Sequence, residues 1–298
     1  MARALGLAVG YAADRVLGDP ARFHPVAGFG QLAAAVEART YGDRRTAGVL
    51  HAAALVGGAV ALGRLLPERT VVVAACTWAV LGGRSLAREA AAVHAHLQRD
   101  DLPAARAQVT HLVGRDPSSL DRDEVARATV ESVAENTSDA VVAPLLWGAV
   151  AGPAGLLGYR AVNTLDAMVG HRSARYRRFG WASARLDDLA NLVPARVSAL
   201  LAATADPVPA LAAWRRDAHR HPSPNAGPVE AAFAGALGLR LGGRNRYGDE
   251  VEDRGHLGGG RPPEPGDIAR AVRLADRVDV GALSLAVLAA SARRRRRR

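Results

Sequence analysis

The sequence predicts an all-α protein, either a polytopic or a partly re-entrant helical membrane protein. Hydrophobic residues make up 49% of the chain, but aromatic residues make up only 4%. The apolar mass is therefore mainly Ala, Val and Leu, which suit helices or lipid better than an aromatic-rich β-sandwich. The other observation is a set of apolar segments between charged stretches: 47–66, 70–83, 140–158, 189–204 and 278–292.

Each apolar segment is shorter or less purely apolar than the roughly 20 residues that a membrane-spanning helix needs. Buried helices of soluble proteins give a similar pattern, so this alternative stays open. The first two segments predict a hairpin around Pro67, because Arg44 and Arg45 precede it and Arg84 and Arg88 follow it. Positively charged flanks favour the cytoplasmic side, which predicts the cell (inner) membrane with the active site facing the cytoplasm.

The segment 140–158 is expected to be broken, re-entrant or shielded by other helices. A single crossing would leave the Arg-rich loop that follows it outside the cytoplasm, against the positive-inside rule. Pro144 and the Gly152-Pro153 pair are typical points of interruption in a helix.

Charge and cysteine content exclude several functional classes. All 39 cationic side chains are Arg, and the run 293–298 is a basic tail. The absence of Lys excludes a Walker A lysine and a Schiff-base lysine, and the single Cys76 excludes a disulfide framework. Nucleic acid is not an expected partner, because the arginines are not interleaved with stacking aromatics. We expect one helical domain, 1–298, with a mobile loop over 249–266, and an oligomer is possible.

The stretch ESVAENTSDAVVAPLLW, 131–147, places three acids four residues apart: Glu131, Glu135 and Asp139. On a helix this spacing puts them on one face. With Asn136 they could coordinate a hard cation such as Mg²⁺, which prefers oxygen ligands. The alternative is a set of exposed acids paired with Arg127, with Ser138 or Asp139 capping the next helix.

Four further clusters mix acids, amides and Arg with Gly or Pro beside an apolar segment. Arginines fit phosphate by two-pronged hydrogen bonding, so the loop with Arg172, Arg175, Arg177 and Arg178 is either a phosphate collar or a patch for lipid headgroups. The clusters are 14–26 with Asp14, Asp19 and His24; 159–180 with Asn163, Asp166 and those arginines; 181–196 with Arg185, Asp187, Asp188 and Asn191; and 221–243 with Ser223, Asn225 and Glu230. Backbone amides at the helix start near Asn225 would also suit an anion.

These motifs together resemble the adenosylcobinamide-phosphate synthase family of cobalamin biosynthesis, the CbiB/CobD family. The similar stretches are DRVLGDPARFHPV, ESVAENTSDAVVAPLLW, YRAVNTLDAMVGHRSARYRRFGWASARLDDLANLVPAR and HPSPNAGPVEAAFAGALGLRLGG. They cover roughly residues 10–245 in order. The resemblance implies a membrane enzyme that joins adenosylcobyric acid, a corrinoid, to aminopropanol or its O-phosphate by amide ligation, with ATP as co-substrate and Mg²⁺.

The resemblance suggests roles for the clustered residues. Metal is assigned to Glu131, Glu135, Asp139 and Asp166, and transfer of a proton from the attacking ammonium to Asp187, Asp188 or Glu230. Binding of nucleotide or of the amino-alcohol phosphate is assigned to His24, Asn136, Asn163, Arg172, Arg185, Ser223 and Asn225. Membrane lipid is the other expected partner.

Two other functions remain open from the residues alone. One is an ion-coupled membrane transporter, in which buried carboxylates relay ions. The broken segment 140–158 favours it. The other is a soluble helical hydrolase that acts on phosphate esters.

Overall fold

The computed structural model describes residues 1–19, 24–114, 116–171, 173–247 and 250–295. Within them the protein is helical, with a single two-stranded sheet, which confirms the predicted all-α class. The helices are α1 (Ala2–Leu17), α2 (Pro25–Thr40), α3 (Arg45–Leu65), α4 (Thr70–Val80), α5 (Gly83–Gln98), α6 (Leu102–Val109), α7 (Arg122–Thr137), α8 (Ala143–Ala151), α9 (Pro153–Leu165), α10 (Tyr176–Phe179), α11 (Trp181–Ala203), α12 (Pro207–Asp217), α13 (Ala226–Leu237) and α14 (Pro265–Arg295).

The chain divides into two compact units, and neither is a continuous stretch of sequence. Unit 1 comprises Met1–Gly82, Asp139–Asn191 and Ala282–Arg298, and unit 2 comprises Gly83–Ser138 and Leu192–Gly281. Two such units can belong to one domain, so the single domain over 1–298 stays a prediction. The helix of the basic tail continues through Arg295, and 296–298 lie outside the described residues.

Helix pairs build unit 1. Helix α1 packs on α4, and α3 packs on α9. A buried apolar cluster that includes Ala33, Leu55 and Leu165 joins α2, α3 and α9. The expected hairpin of α3 and α4 around Pro67 is therefore wrong in its packing, because each of the two helices finds its main neighbour elsewhere in the unit.

The apolar segment 140–158 is broken, as predicted. A π-helical turn, Ser138–Val142, leads into α8, and α8 ends at Gly152, whose φ of 61° is a backbone conformation that suits glycine. Helix α9 starts at Pro153 and packs against α8. The segment is thus two short helices, each well below the length of a membrane-spanning helix.

Two ranges, Arg45–Leu65 and Thr70–Gln98, are long and apolar enough to cross a membrane by length and composition. The first is α3. The second combines α4 and α5, which are separated by the non-helical residues Leu81 and Gly82. Helix α4 alone has 11 residues, about 16 Å at the usual rise per residue, so it cannot span a bilayer by itself.

Unit 2 is built around two buried helices, α7 and α13. A capping box begins α7, because Asp121 Oδ1 accepts from Glu124 N and Glu124 Oε2 accepts from Asp121 N. Helix α13 packs against α12 and α7, and its residues from Ala226 to Gly235 are buried. The acids and amides near these helices therefore lie in a packed environment.

A β-hairpin replaces part of the predicted loop. Strand β1 (Leu241–Tyr247) pairs antiparallel with β2 (Glu250–Leu257). The prediction of a loop over 249–266 is thus wrong for 250–257, and Leu257 is fully buried. Residue 249 lies outside the described residues, and the mobility of the remainder stays a prediction. The charged residues and the glycine of EVEDRGHL concealed this strand.

Asp267 anchors the first turn of α14. Its buried carboxylate accepts hydrogen bonds from Arg261 Nη1 at 2.7 Å, Arg270 Nη1 at 2.6 Å and Glu264 N at 2.8 Å. Burial alone would raise the pKa of this carboxyl, but these donors and the charge of Arg261 outweigh burial and lower the pKa below its ordinary value. The ion pairs therefore stabilise the fold while Asp267 is ionised.

Asp267→Asn is expected to lower the free energy of unfolding at neutral pH by about 2 kcal/mol, because the three donors lose a charged acceptor. A depressed folded-state pKa gives stability above the ordinary Asp pKa, and that stability is lost as the pH falls through the folded value. The difference in Tm between parent and variant should therefore shrink on acidification. A difference that is constant from neutral pH to the acid limit would contradict this account.

Candidate active site

A buried hydrogen-bond network in unit 1 joins α9, α11 and the π-helical turn. The Tyr159 hydroxyl donates to Asn191 Oδ1 at 2.9 Å and lies 3.2 Å from the Asp139 carbonyl oxygen. Asn191 Nδ2 donates to Asp187 Oδ2 at 3.0 Å. The negative charges of Asp139 and Asp187 both act on Tyr159. We call these four residues the Tyr159 network. It connects two predicted site residues through two that sequence reasoning left without a role.

Pro144 explains the local geometry beside Asp139. A proline has no N–H, so it cannot donate to the carbonyl four residues back on a helix, which here is Ala140. That carbonyl instead accepts from Gly82 N at 3.2 Å, while the carbonyl of Asp139 accepts from Tyr159. The π-helical turn thus presents two backbone acceptors outside its own helix. Such turns are frequent at functional sites.

Arg160 brings a further group of polar side chains together in unit 1. Its Nη1 lies 3.4 Å from Asn163 Oδ1, and the charges of Asp19 and Asp139 act on its guanidinium. His24 Nε2 lies 3.8 Å from Asp19 Oδ2, and His24 Nδ1 caps the first turn of α2. Asp139 also belongs to the Tyr159 network, so Arg160, which contacts Asn163, lies within electrostatic range of that network and of the His24–Asp19 pair.

An apolar cavity of about 450 Å³ adjoins Arg160. Its walls come from α2, α3, α4 and α9, and include Phe29, Leu55 and Leu157. Arg160 is the one charged residue in the described lining. Its Nε is buried and has no hydrogen-bond partner among the described residues. The guanidinium therefore has one buried donor that is unpaired within the described chain. Sequence reasoning missed this residue, although it lies inside the quoted stretch YRAVN.

A second polar cluster lies in unit 2, before and along α13. His221 Nε2 is 3.5 Å from Glu230 Oε1, and both side chains are almost fully buried. His221 Nδ1 accepts from Ser223 N at 3.0 Å. The proton of a neutral imidazole is then on Nε2, facing the Glu230 carboxylate. His221 was not among the predicted site residues, although the quoted motif begins with it.

The start of α13 is stabilised by its own side chains, and its role as an anion site stays a prediction. Ser223 Oγ accepts from the backbone N–H groups of Asn225 and Ala226, at 3.3 and 3.2 Å. Asn225 Oδ1 accepts from Arg196 Nη1 at 2.8 Å. The side chains predicted to bind a ligand, Ser223 and Asn225, thus already make hydrogen bonds that stabilise this helix start.

Glu131 holds the β-hairpin on α7. Its Oε1 accepts from Arg127 Nη1 at 2.9 Å and from Gly242 N at 2.8 Å. Arg127 Nη1 also donates to the Gly242 carbonyl at 2.6 Å. The predicted alternative, an acid paired with Arg127, is confirmed for Glu131, but this pair is largely buried rather than exposed.

Glu131→Gln is expected to lower the free energy of unfolding by about 2 kcal/mol, because two donors lose a charged acceptor. The dependence of activity on Mg²⁺ concentration should be unchanged. Arg127→Gln should give a similar loss, and the double variant should lose less than the sum of the two. A changed Mg²⁺ requirement with an unchanged Tm would instead favour a metal role for Glu131.

The four predicted metal ligands are divided between the units: Glu131 and Glu135 are in unit 2, and Asp139 and Asp166 are in unit 1. Within the described parts of the chain, no group of three or more His, Cys, Asp or Glu side chains is placed to hold a metal ion. The α-helix also ends at Thr137, before Asp139, so the assumed helical spacing of the three acids is interrupted. The metal assignments stay predictions.

The remaining predicted residues have local roles. Asn136 Nδ2 donates to Ser132 O on its own helix at 3.0 Å, and Arg185 Nη1 forms an ion pair with Asp188 Oδ2 at 3.1 Å. Asp166 starts a second π-helical turn, Asp166–Gly170. Arg172 lies outside the described residues.

Comparison with known proteins gives a consistent result. A family profile described as "CobD/Cbib protein" matches residues 7–275. Proteins named "Cobalamin biosynthesis protein CobD" are similar to this chain. The protein of Mycobacterium tuberculosis strain H37Rv is 53% identical over 98% of this chain and 97% of its own length. That of Rhodobacter capsulatus is 48% identical over 87% and 86%, and that of Chromobacterium violaceum is 44% identical over 93% of each. No solved structure matches the chain.

Proposed function

Because this chain belongs to the CobD/CbiB family, we propose that it acts in cobalamin biosynthesis. The proposed reaction is an ATP- and Mg²⁺-dependent amide ligation of adenosylcobyric acid with aminopropanol or its O-phosphate. The observation that carries the proposal is the similarity to proteins named for cobalamin biosynthesis over almost the whole chain. The matched region contains the residues of both polar clusters, because the profile match extends from residue 7 to 275.

The exposed apolar surface supports a membrane location for this enzyme. Large apolar side chains are exposed on helices of unit 1, including Leu5, Val16, Leu50, Leu65 and Leu189. Large apolar side chains exposed to this extent on several helices are unfavourable in water and suit a membrane or partner contact. With α3 as a candidate span, it supports placement in the cell membrane, with the active site facing the cytoplasm as the positive-inside rule suggests.

The chemistry needs an activated carboxyl group, because a carboxylate and an ammonium do not condense readily in water. We propose that a carboxylate oxygen of the corrinoid attacks the γ-phosphorus of ATP and releases ADP. The amine then attacks the acyl carbon and phosphate leaves. The chain's own residues must bind the phosphates and remove a proton from the ammonium.

The Arg160 region suits phosphate binding. Arg160 retains a buried guanidinium donor, and guanidinium geometry fits phosphate. Mg²⁺ commonly takes one or two protein carboxylates together with substrate phosphates and waters. We propose Asp19 and Asp139, whose charges both act on Arg160, as the two carboxylates that would hold the ion. When bound, Mg²⁺ supplies positive charge that stabilises a transferring phosphoryl group.

Asp187 is the proton acceptor that we favour among the three predicted candidates. Its Oδ2 accepts from Asn191, which Tyr159 fixes in turn, so its position is held by two buried side chains. Asp188 instead forms an ion pair with the exposed Arg185. Glu230 lies buried against His221, which supports a positioning role in unit 2.

The test is to incubate detergent-purified protein with adenosylcobyric acid, ATP and Mg²⁺ and either aminopropanol or its O-phosphate, and to follow the corrinoid mass. The expected product is heavier by the condensed amine, with ATP consumed in equal amount. Folded protein that leaves the corrinoid unchanged with both amines would refute the ligase. The same protein should then be tested for ion-coupled flux in vesicles, as the transporter alternative requires.

A further inference from the structure

Exposed arginines gather around the start of α3 in unit 1. They come from the end of α2, the start of α3 and the region of α10, which packs against α3. We call this group the α3 arginine surface. Its described members are Arg39, Arg44, Arg45, Arg175, Arg177 and Arg178, all of which are exposed.

Buried aromatic packing fixes the two sides of this surface together. The Phe179 ring lies 5.3 Å from that of Tyr41 and 5.0 Å from that of His51, between ring centroids. Tyr41 also donates its hydroxyl proton to the Arg175 carbonyl at 3.0 Å. The backbone of Phe179 lies directly on Gly48 of α3. The positive charges are therefore held as one surface.

Carboxylates neutralise only part of the charge. Arg175 Nη2 bonds to Glu37 Oε1 at 2.9 Å, and Arg178 Nη1 lies 3.7 Å from Asp43 Oδ2. Within the described chain, Arg44, Arg45 and Arg177 are not paired with a carboxylate, and the Arg45 guanidinium lies over the Trp181 ring at 5.1 Å. The surface thus keeps a net positive charge next to an aromatic side chain.

The neighbouring residues indicate what this charge faces. One turn into α3, Val49 and Leu50 are exposed, and α3 is apolar and long enough to cross a membrane. Trp181, which is 40% exposed, is a residue type enriched at the boundary between headgroups and acyl chains. Positive charge, an indole and exposed aliphatic side chains therefore follow one another along one end of a candidate span.

We propose that the α3 arginine surface binds the headgroups of anionic phospholipids. Each Arg or Lys near a negatively charged leaflet contributes favourably to membrane binding, and a bilayer offers many phosphates to a broad, exposed surface. The two cavities of about 450 and 500 Å³ in this unit are lined by none of these arginines. Because these arginines line neither cavity, they are better placed to bind lipid headgroups than the phosphate of a soluble substrate.

The experiment is a titration of phosphatidylglycerol, with phosphatidylcholine as comparator, into the detergent-purified full chain, with bound lipid counted by native mass spectrometry. The parent should bind phosphatidylglycerol more tightly than phosphatidylcholine. The triple variant Arg44→Gln, Arg45→Gln, Arg177→Gln should bind phosphatidylglycerol at least about tenfold more weakly. Added salt should weaken the parent's binding by screening.

A matched control removes the same charge elsewhere. Arg215, Arg273 and Arg277 are exposed arginines of unit 2. Their triple replacement by Gln should leave lipid binding within about twofold of the parent, because none of them belongs to the α3 arginine surface. If this control lost as much affinity for phosphatidylglycerol as the first triple variant, the loss would depend on the net charge of the protein and not on the α3 arginine surface. That result would overturn the proposal. Displacement of the lipid by excess inorganic phosphate, with a raised KM for the amino-alcohol phosphate in the first triple variant, would overturn it in favour of a substrate collar.

Discussion

Asp187→Asn is expected to lower kcat for corrinoid ligation by about two to three orders of magnitude, which is within the usual contribution of a positioned general base. The amide side chain keeps the size of the carboxylate and can still accept from Asn191, so the fold should persist. It cannot accept a proton from the attacking ammonium. The loss should therefore appear in kcat, with little change in Tm.

Asp188→Asn is the matched control, because it removes the same charge from the next residue of α11. The Asp188 carboxylate pairs with the exposed Arg185, and such exposed pairs contribute little. Its activity should stay within about threefold of the parent. Equal losses in the two variants would refute the selective role of Asp187.

The pH dependence adds an independent readout. If Asp187 removes the proton, the Asn variant can use only amine that is already deprotonated, and its rate should rise with pH through the alkaline range. A purely structural loss would leave the pH profile of the variant parallel to that of the parent. The pH profiles of parent and variant should be measured at saturating corrinoid and ATP, so that the measured rate reports the attack of the amine.

Gly48→Ala is expected to give the largest loss of stability, about 3 kcal/mol, through overpacking at a backbone contact. A Cβ at this position would lie 1.8 Å from the Phe179 carbonyl oxygen. This neighbour is backbone, so it cannot move aside as a flexible side chain would. Helix α3 and the α10 segment would have to separate.

Gly57→Ala is the control on the same helix. No heavy atom lies within 4 Å of a Cβ built there, so the substitution should raise stability slightly through helix propensity, by about 0.5–1 kcal/mol. Thermal unfolding of both variants in one detergent measures the contrast. A Tm for Gly48→Ala at or above the parent value would contradict the close approach of Phe179 to α3.

The fold class followed from composition, because an apolar chain rich in Ala, Val and Leu and poor in aromatics has few alternatives to helices. The break in 140–158 was also predictable, since Pro144 and Gly152 act through local backbone geometry. The packing partners of α3 and α4 were not. Two helices joined by a short loop are expected to pack against each other. In the structure α3 packs on α9 and α4 packs on α1, and this choice depends on the shapes of the helix surfaces, which the sequence pattern does not show.

The candidate site was predictable in part for a similar reason. Asp187 and Asn191 lie four residues apart on one helix, so their contact follows from helix geometry. Tyr159 and Arg160 depend on how α9 packs, which sequence spacing cannot show. The spacing of Glu131, Glu135 and Asp139 suggested a metal site, but the pattern carried no information about Gly242, which is 111 residues away from Glu131.

The division of the chain into interleaved pieces has a consequence for biosynthesis. Unit 1 takes its last piece from Ala282–Arg298, at the far end of the message from its first piece, Met1–Gly82. During translation, unit 1 therefore cannot complete its packing until the ribosome has made all of unit 2. A premature stop codon shortly before Ala282 would leave unit 2 nearly whole in sequence while removing the closing helix segment of unit 1.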